Sequence, residues 1–446
     1  MKFSSKKLFE LRNNYQNYIY MKVLWLTHTP AGASNMVNFK EPGRGWISSL
    51  EELFTGMDDI KLGIAFFSDK KTEPFEIGKT TYFPVLLKYT SAIGKLVQRI
   101  FTLKRDVNVK SVLSVIEEFK PDIIHLFGTE SGIGDLNNLT SVPIIVHMQG
   151  LVNPYLNNWH PNGISNGVVL RHSSFRSLLF RRGLYFEYKL FKKRAKRELR
   201  IVNYRKYFFG RTDWDKNFLG LYKKDLQYYH CDEVLRPLFY LYEWQRIKKD
   251  EKKLKIITTV SPQLYKGMDI ILSTAKILAG ISDLNFEWII VGVKENDEVV
   301  LLMESIFKLK FKNFHVRFVG HKNEYDLIQQ LLVSDVFVHP SHIDNSPNSV
   351  CEAMLLGMPV IAGYVGGIPS LIENGVSGIL YNSNDSYELA AKILKLNDDK
   401  DCIARLSYNA RTSGIKRHCH DKIKATVIQA YQDVINWEKS IEYERC

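Results

Sequence analysis

Twice along this chain of 446 residues, short apolar runs alternate with stretches whose apolar residues recur at helical spacing, and the alternation restarts after one charged segment. This pattern constrains the fold more than any other feature of the chain. In the first block "MKVLWLTHTP" (Met21 to Pro30) reads as a strand ending in a loop. "EPGRGWISSLEELF" supplies a glycine-bearing turn into a helix, and "IKLGIAFFS" is the next strand. "VNVKSVLSVIEEFKPDIIHLFG" is a helix followed, after Pro121, by a buried strand, and "VPIIVHMQG" (Val142 to Gly150) is another. "YEWQRIKKDEKKL" (Tyr242 to Leu254) lacks apolar periodicity and reads as a linker. The pattern then resumes with "KIITTVS", "DIILSTAKILAGI", "FEWIIVGV", "HVRFVG", "EYDLIQQLLVS" and "DVFVHPS". Strands without a polar face, each followed by a helix, argue for parallel sheets covered on both sides. The expected class is α/β, with two doubly wound domains. The first spans 21–241 after an extension at 1–20, the linker 242–254, and the second domain 255–425. A terminal helix over 426–446 is expected to pack back on the first domain. Ligands of open parallel sheets sit at the carboxyl ends of strands, so the expected site is the cleft between the two domains.

Composition excludes several classes. With 45% apolar and 24% charged residues the chain is globular. No apolar run approaches ~18 residues, so no membrane-spanning helix is expected. The first twenty residues are basic but lack the apolar core and small-residue cleavage site of a secretory signal. Five cysteines, odd in number and scattered, suit a reducing compartment, and a cytoplasmic location is expected. "HCH" at His418 to His420 invites a metal reading, yet ligands at i and i+2 of a helix do not face one side. The net charge of +13 is concentrated: Arg171 to Arg211 holds fourteen Lys/Arg against Glu187 and Glu198, a balance of +12. The Leu, Phe and Tyr interleaved within 171–206 make this segment either a solvated helix face or a surface for anionic lipid, holding the protein peripherally on the inner face of a membrane. No nucleic-acid recognition motif accompanies the charge, and no nucleic-acid partner is expected.

"SHIDNSPNSVCEAMLLGMPVIAGYVGGIPSLIENGVSGIL" (Ser341 to Leu380) carries the chemistry. A helix is expected to start at "NSPNS", with Ser346 as N-cap and Pro347 in the first helical position, and to stop at Gly357. Backbone N–H groups around Asn348 and Ser349 then attract phosphate. Two acids stand at the same place. Glu352 can accept hydrogen bonds from a ribose diol while the helix start holds the adjoining diphosphate, and Asp344 can contact a sugar beyond it. Gly366 and Gly367 either turn the chain after its strand or bring their N–H groups to the ligand. Arg211, Thr212 and Arg236 stand near expected strand ends and are candidates for lining the cleft.

The spacing Asp344-x7-Glu352, with "EAMLLGMPVIAGYVGGIPSLIENGVSGIL", resembles the acidic motif of the family 4 retaining glycosyltransferases, whose GT-B fold sets two Rossmann-like domains across a cleft. "YKGMDIILSTAKIL", "EFKPDIIHLFG" and "EPGRGW" resemble further family segments in the same order. The resemblance implies that Lys266 and Asp344 act at the reaction centre and that Lys266 binds the donor diphosphate. It further implies that Glu352, Ser346, Asn348, Ser349, Gly366, Gly367 and the glycine loop of Gly43 and Gly45 surround the donor. Two departures stand out. Ser261 occupies a place where the family commonly has arginine, leaving Arg211 or Arg236 to help Lys266. Gln149-Gly150 replaces a His-Gly pair, so either His147, two residues back on the same strand face, substitutes for the imidazole or Gln149 contacts the sugar. The implied activity is retaining transfer from a UDP- or GDP-sugar to a saccharide or lipid-linked acceptor in cell-surface polysaccharide assembly. Neither a cofactor nor a metal is expected, since no Asp-x-Asp lies near a strand end. The alternatives are a nucleotide-sugar epimerase of the same fold and a non-catalytic nucleotide-sugar or glycan binder.

Overall fold

Apolar runs such as "IIHLF" and "VFVH" become central strands because helices cover both of their faces. Every residue of these two strands is buried. The structure is a computed structural model that describes residues 20–37, 45–88, 91, 93–94, 97, 109–246 and 253–445. Its first sheet contains β1 (Met21–Leu26), β2 (Ile60–Ser68), β3 (Phe75–Ile77), β4 (Thr80–Leu86), β5 (Ile123–Phe127), β6 (Ile144–His147), β7 (Tyr207–Gly210) and β8 (Gln227–His230). They lie in the order β3-β4-β2-β1-β5-β6-β7-β8, parallel except for β3 against β4. The second sheet contains β9 (Lys253–Thr259), β10 (Asn285–Val291), β11 (Val316–Gly320), β12 (Val336–His339), β13 (Val360–Gly363) and β14 (Ile379–Tyr381), all parallel in the order β11-β10-β9-β12-β13-β14. In each sheet the chain reverses its direction of travel once, between β1 and β5 and between β9 and β12. Loops on either side of such a reversal diverge and leave a crevice at the strand ends.

Five helices matter for the site: α1 (Trp46–Phe54), α2 (Val152–Asn157), α3 (Leu184–Tyr204), α4 (Asn348–Leu356) and α5 (His420–Arg445). α5 returns to the first sheet, burying Ile423, Val427, Ala430, Tyr431 and Val434 in one cluster with Trp25, Phe54 and Phe209. At its centre Tyr431 Oη accepts from Trp25 Nε1 at 3.1 Å and lies 2.6 Å from His125 Nδ1. The chain around α2 also crosses over: Tyr155, Trp159, Val169 and Leu184 are buried in the cluster that forms the core of the second domain. Leu184 N–H donates to Glu298 there at 3.3 Å. Trp244, at the start of the linker stretch, is anchored through its N–H to the Leu356 carbonyl at 2.7 Å and its indole to the Ser334 carbonyl at 2.8 Å. β9 already begins at Lys253. Linker positions 247–252 and extension positions 1–19 lie outside the described residues. Among the described residues no helix is long and apolar enough to cross a membrane.

Candidate active site in the interdomain cleft

Lys266 follows β9 and Asp344 follows β12, the two strands that flank the reversal in the second sheet. What joins them is a close backbone approach. Gly267 is left-handed (φ 80°), and a Cβ there would stand 2.2 Å from the Pro340 carbonyl oxygen, so only glycine fits. Lys266 Nζ thereby reaches Asp344 Oδ2 at 2.5 Å. Tyr155 from α2 donates its hydroxyl to Asp344 Oδ1 at 3.0 Å, and His339 Nε2 lies 3.2 Å from Oδ2. Burial alone would raise the Asp344 carboxyl, but the Lys266 charge and the His339 and Lys266 contacts outweigh it and hold the group well below the ordinary carboxylate range. Burial also lowers His339, which meets Asp344 as a neutral imidazole.

α4 starts at Asn348 with Pro347 in the capping position, and its first intrahelical bonds run from Val350 and Cys351 N–H to the Pro347 carbonyl. The N–H groups of Asn348 and Ser349 precede those bonds and form the open end of the helix dipole. Ser346 is not the cap, contrary to expectation. Its hydroxyl donates to Glu233 Oε1 of the first domain at 2.7 Å, and Pro347 takes the capping position. Ser346 is thus part of a domain contact. Glu352 is also engaged: Arg236 binds it as a fork, Nε to Oε1 and Nη2 to Oε2, both at 2.7 Å. The two residues pair with each other, and a ribose reaching Glu352 must displace or share this guanidinium.

Gly366 and Gly367 are required by packing. A Cβ at Gly366 (φ 50°) would lie 2.0 Å from the Asp344 carbonyl oxygen, and one at Gly367 would lie 2.3 Å from that of Asn345 and 2.7 Å from Thr212 Cγ2. The Gly367 N–H donates to the Asp344 carbonyl at 2.9 Å, so it is engaged within the loop. Asn345 fixes the same loop to the first domain, its Oδ1 accepting from Thr212 Oγ1 at 2.6 Å and its Nδ2 donating to Asp215 Oδ2 at 3.0 Å.

Three candidates from the first domain sit differently from expectation. His147 is completely buried, its Nδ1 lying 3.2 Å from His125 Nε2 and its ring packed on Trp46 and Phe209. Burial, then the Arg211 charge, keeps it neutral. An imidazole enclosed this way belongs to the core and cannot reach a substrate unless Trp46 moves. Arg211 is buried as well, 4.3 Å over the Trp46 ring and 3.8 Å from Glu233 Oε2, so it faces the domain contact instead of an open cleft. Gln149 reaches the site through its backbone, whose carbonyl lies 3.4 Å from Asn345 Nδ2. Gly45 caps α1 with space around it, and Gly43 lies outside the described residues.

Sequence reading missed Glu233, Tyr155 and Arg417, because contacts between domains leave no periodicity in either partner. Glu233 receives Ser346 and the Cys351 thiol (3.2 Å), and its carbonyl accepts from His418 Nδ1 at 2.8 Å. Burial would raise its carboxyl, yet Arg211, His418 and Arg417 bring it down to about 2. Glu233, Cys351 and His418 offer ligand-type atoms within 4.8 Å of one another. Cys351 is a thiol, pushed up by burial and by Glu233, and with Arg211 and Arg417 supplying positive charge the cluster is a hydrogen-bonded seal. His418 therefore works with residues distant in sequence and not with His420.

Two Rossmann-like domains closing on this cleft define the GT-B class. Sucrose-phosphate synthase from Thermosynechococcus elongatus superposes over 93% of this chain and 99% of its own, with a TM-score of 0.67 at 16% identity. Anabaena HepE, solved in complex with UDP and glucose, covers 92% and 99% with a TM-score of 0.61 at 17% identity. Residues 243–413 match the family described as Glycosyl transferases group 1. Amylovoran biosynthesis glycosyltransferase AmsK of Erwinia amylovora is 29% identical over 164 residues, 35% of this chain and 39% of that protein. N-acetyl-alpha-D-glucosaminyl L-malate synthase of Bacillus anthracis is 25% identical over 222 residues, 49% and 56% of the two chains. The chain thus spans about half the length of these relatives or less.

Proposed function

We propose that the protein transfers a glycosyl group, with retention at the anomeric carbon, from a UDP- or GDP-sugar to a saccharide or lipid-linked acceptor in cell-surface polysaccharide assembly. The observation that carries this reading is the convergence of Lys266, Asp344 and the open start of α4 at the reversal between β9 and β12. The complex of HepE with UDP and glucose supports the donor class, and the role of AmsK in amylovoran biosynthesis supports the pathway class. In the reaction the bond from the anomeric carbon to the donor's β-phosphate oxygen breaks, and the acceptor oxygen bonds to that carbon from the same face. The acceptor proton passes to the departing phosphate oxygen. Lys266 and the N–H groups of Asn348 and Ser349 stabilise the charge that develops on that phosphate, while Asp344 orients Lys266 and the sugar. Glu352 exchanges Arg236 for the ribose hydroxyls, which frees the guanidinium to meet the diphosphate. This scheme uses no metal, and loss of activity with EDTA would overturn that part of it.

A peripheral membrane setting on the cytoplasmic face is supported by Phe175, Leu179 and Phe180, exposed at 80%, 62% and 47% beside exposed Arg176, Arg181 and Arg182. Each such cation contributes ~1 kcal/mol near an anionic surface. Sedimentation with phosphatidylglycerol vesicles at low salt should capture the wild type and lose the Phe175→Ser/Phe180→Ser variant; equal recovery of both would refute the contact.

A thermal-shift series with UDP, GDP and their sugars tests the donor reading. One base should raise the melting temperature, by an amount equivalent to ~2.7 kcal/mol at a hundred times Kd. The shift should shrink in Glu352→Gln. No shift with any of them would overturn it in favour of a non-catalytic glycan binder. Donor conversion without acceptor would instead identify an epimerase.

A further inference from the structure

Between α2, α3 and the loop that carries Lys266 lies a cavity of about 450 Å³. Its wall is aromatic and continuous: Trp159 meets Phe191 at 4.7 Å and Tyr265 at 5.3 Å between ring centroids, and Tyr265 meets Tyr155 at 5.3 Å. The far end of that wall is the reaction centre, since Tyr155 holds Asp344 and Tyr265 directly precedes Lys266. One polar atom on the wall is unsatisfied. Trp159 is 1% exposed, and its indole N–H has no hydrogen-bond partner among the described residues. A buried donor left without an acceptor is costly, so it points to a ligand that supplies an oxygen. The charges on the cavity are Glu130, Glu187 and Arg194, a balance of −1. Glu187 stands at the solvent-exposed mouth. A phosphate or uronate entering there would meet like charge.

We propose that this cavity is the acceptor site and that it takes an uncharged sugar ring. The ring lays its C–H face on the aromatic wall, accepts from Trp159 Nε1–H through a hydroxyl or acetamido oxygen, and directs another hydroxyl toward Asp344 and Lys266. Trp159 is then a specificity-determining residue and Glu187 the group that turns anionic acceptors away. The inference rests on the transferase reading and deepens it by naming the acceptor class.

Saturation-transfer NMR on the full chain, with p-nitrophenyl glucoside, N-acetylglucosaminide and glucuronide as probes, tests it. The two neutral glycosides should bind and the glucuronide should not. The stronger of the two neutral probes would tell a hydroxyl from an acetamido acceptor. Trp159→Phe, which keeps the wall and deletes the N–H, should weaken neutral binding about tenfold while leaving the UDP or GDP thermal shift unchanged. Glu187→Arg, an exposed change that leaves the core alone, should admit the glucuronide. Glucuronide binding to the wild type, or neutral affinity in Trp159→Phe within twofold of wild type, would overturn the proposal. A nucleotide shift with no glycoside binding would overturn it while leaving the donor reading standing. Glycoside binding with no nucleotide shift would overturn the transferase reading itself.

Discussion

Lys266→Met removes a charge while keeping most of the side chain's length, and its consequences can be worked from the contacts. The lysine is 15% exposed and its partner Asp344 7%, at 2.5 Å. Deleting one member of a buried pair generally costs ~3–5 kcal/mol, because the other charge is left uncompensated. Here Tyr155 still donates to Asp344 at 3.0 Å, which places the expected stability loss at the lower end, about 3 kcal/mol. In urea this should appear as a lower midpoint with an unchanged slope. Turnover loses a separate contact, the one made to the leaving phosphate, worth ~3 kcal/mol or roughly a hundredfold. The two effects come apart in the double variant Lys266→Met/Asp344→Asn. Neutralising the stranded carboxylate should restore about 2 kcal/mol of stability, whereas turnover should stay low. A single variant within about 0.5 kcal/mol of wild-type stability would refute the electrostatic account of the pair, against the loss expected for an uncompensated buried charge. Wild-type turnover would refute the role in transfer.

Glu233 titrates near 2 when folded against 4.5 for its ordinary value, so it contributes about 3 kcal/mol that is present above pH 4.5 and lost as pH falls toward 2. Glu233→Gln should flatten that part of the stability–pH curve, and parallel curves for the two proteins would show that the seal is not electrostatic. Gly267→Ala places a methyl 2.2 Å from the Pro340 carbonyl at a left-handed residue. It should cost at least ~1–2 kcal/mol in urea midpoint and lower turnover at least about tenfold by moving Lys266, so unchanged kinetics would exclude this glycine as the positioning element. Tyr431→Phe strips the oxygen shared by Trp25 and His125 and should destabilise by ~1–3 kcal/mol, read by the same denaturation, without altering nucleotide binding.

Much of this architecture is legible in one dimension because its cause is local. A strand buried on both faces must be apolar throughout, and a helix closing on it must repeat every 3.6 residues, so the doubled α/β alternation can be read directly. The same holds within the motif from Ser341 to Leu380, where a proline at a helix start and a glycine at its end mark α4 to within a residue or two. Lys266, Asp344, Arg236 and Glu352 could be named from the sequence as candidates. Their pairings could not be named. Ser346 is taken from its helix by Glu233, 113 residues away. His147 lies inside the first domain because Trp46 and Phe209 close over it. The Trp159 cavity exists only where α2, α3 and the Lys266 loop converge. Composition and periodicity act over one turn of helix or one strand, so they specify which segments form sheets and which loops end at their edges. Charge pairing and cavity shape depend on distances between segments 78 to 116 residues apart. Which acid each cation faces, and which buried donor still lacks an acceptor, is set by the folded arrangement.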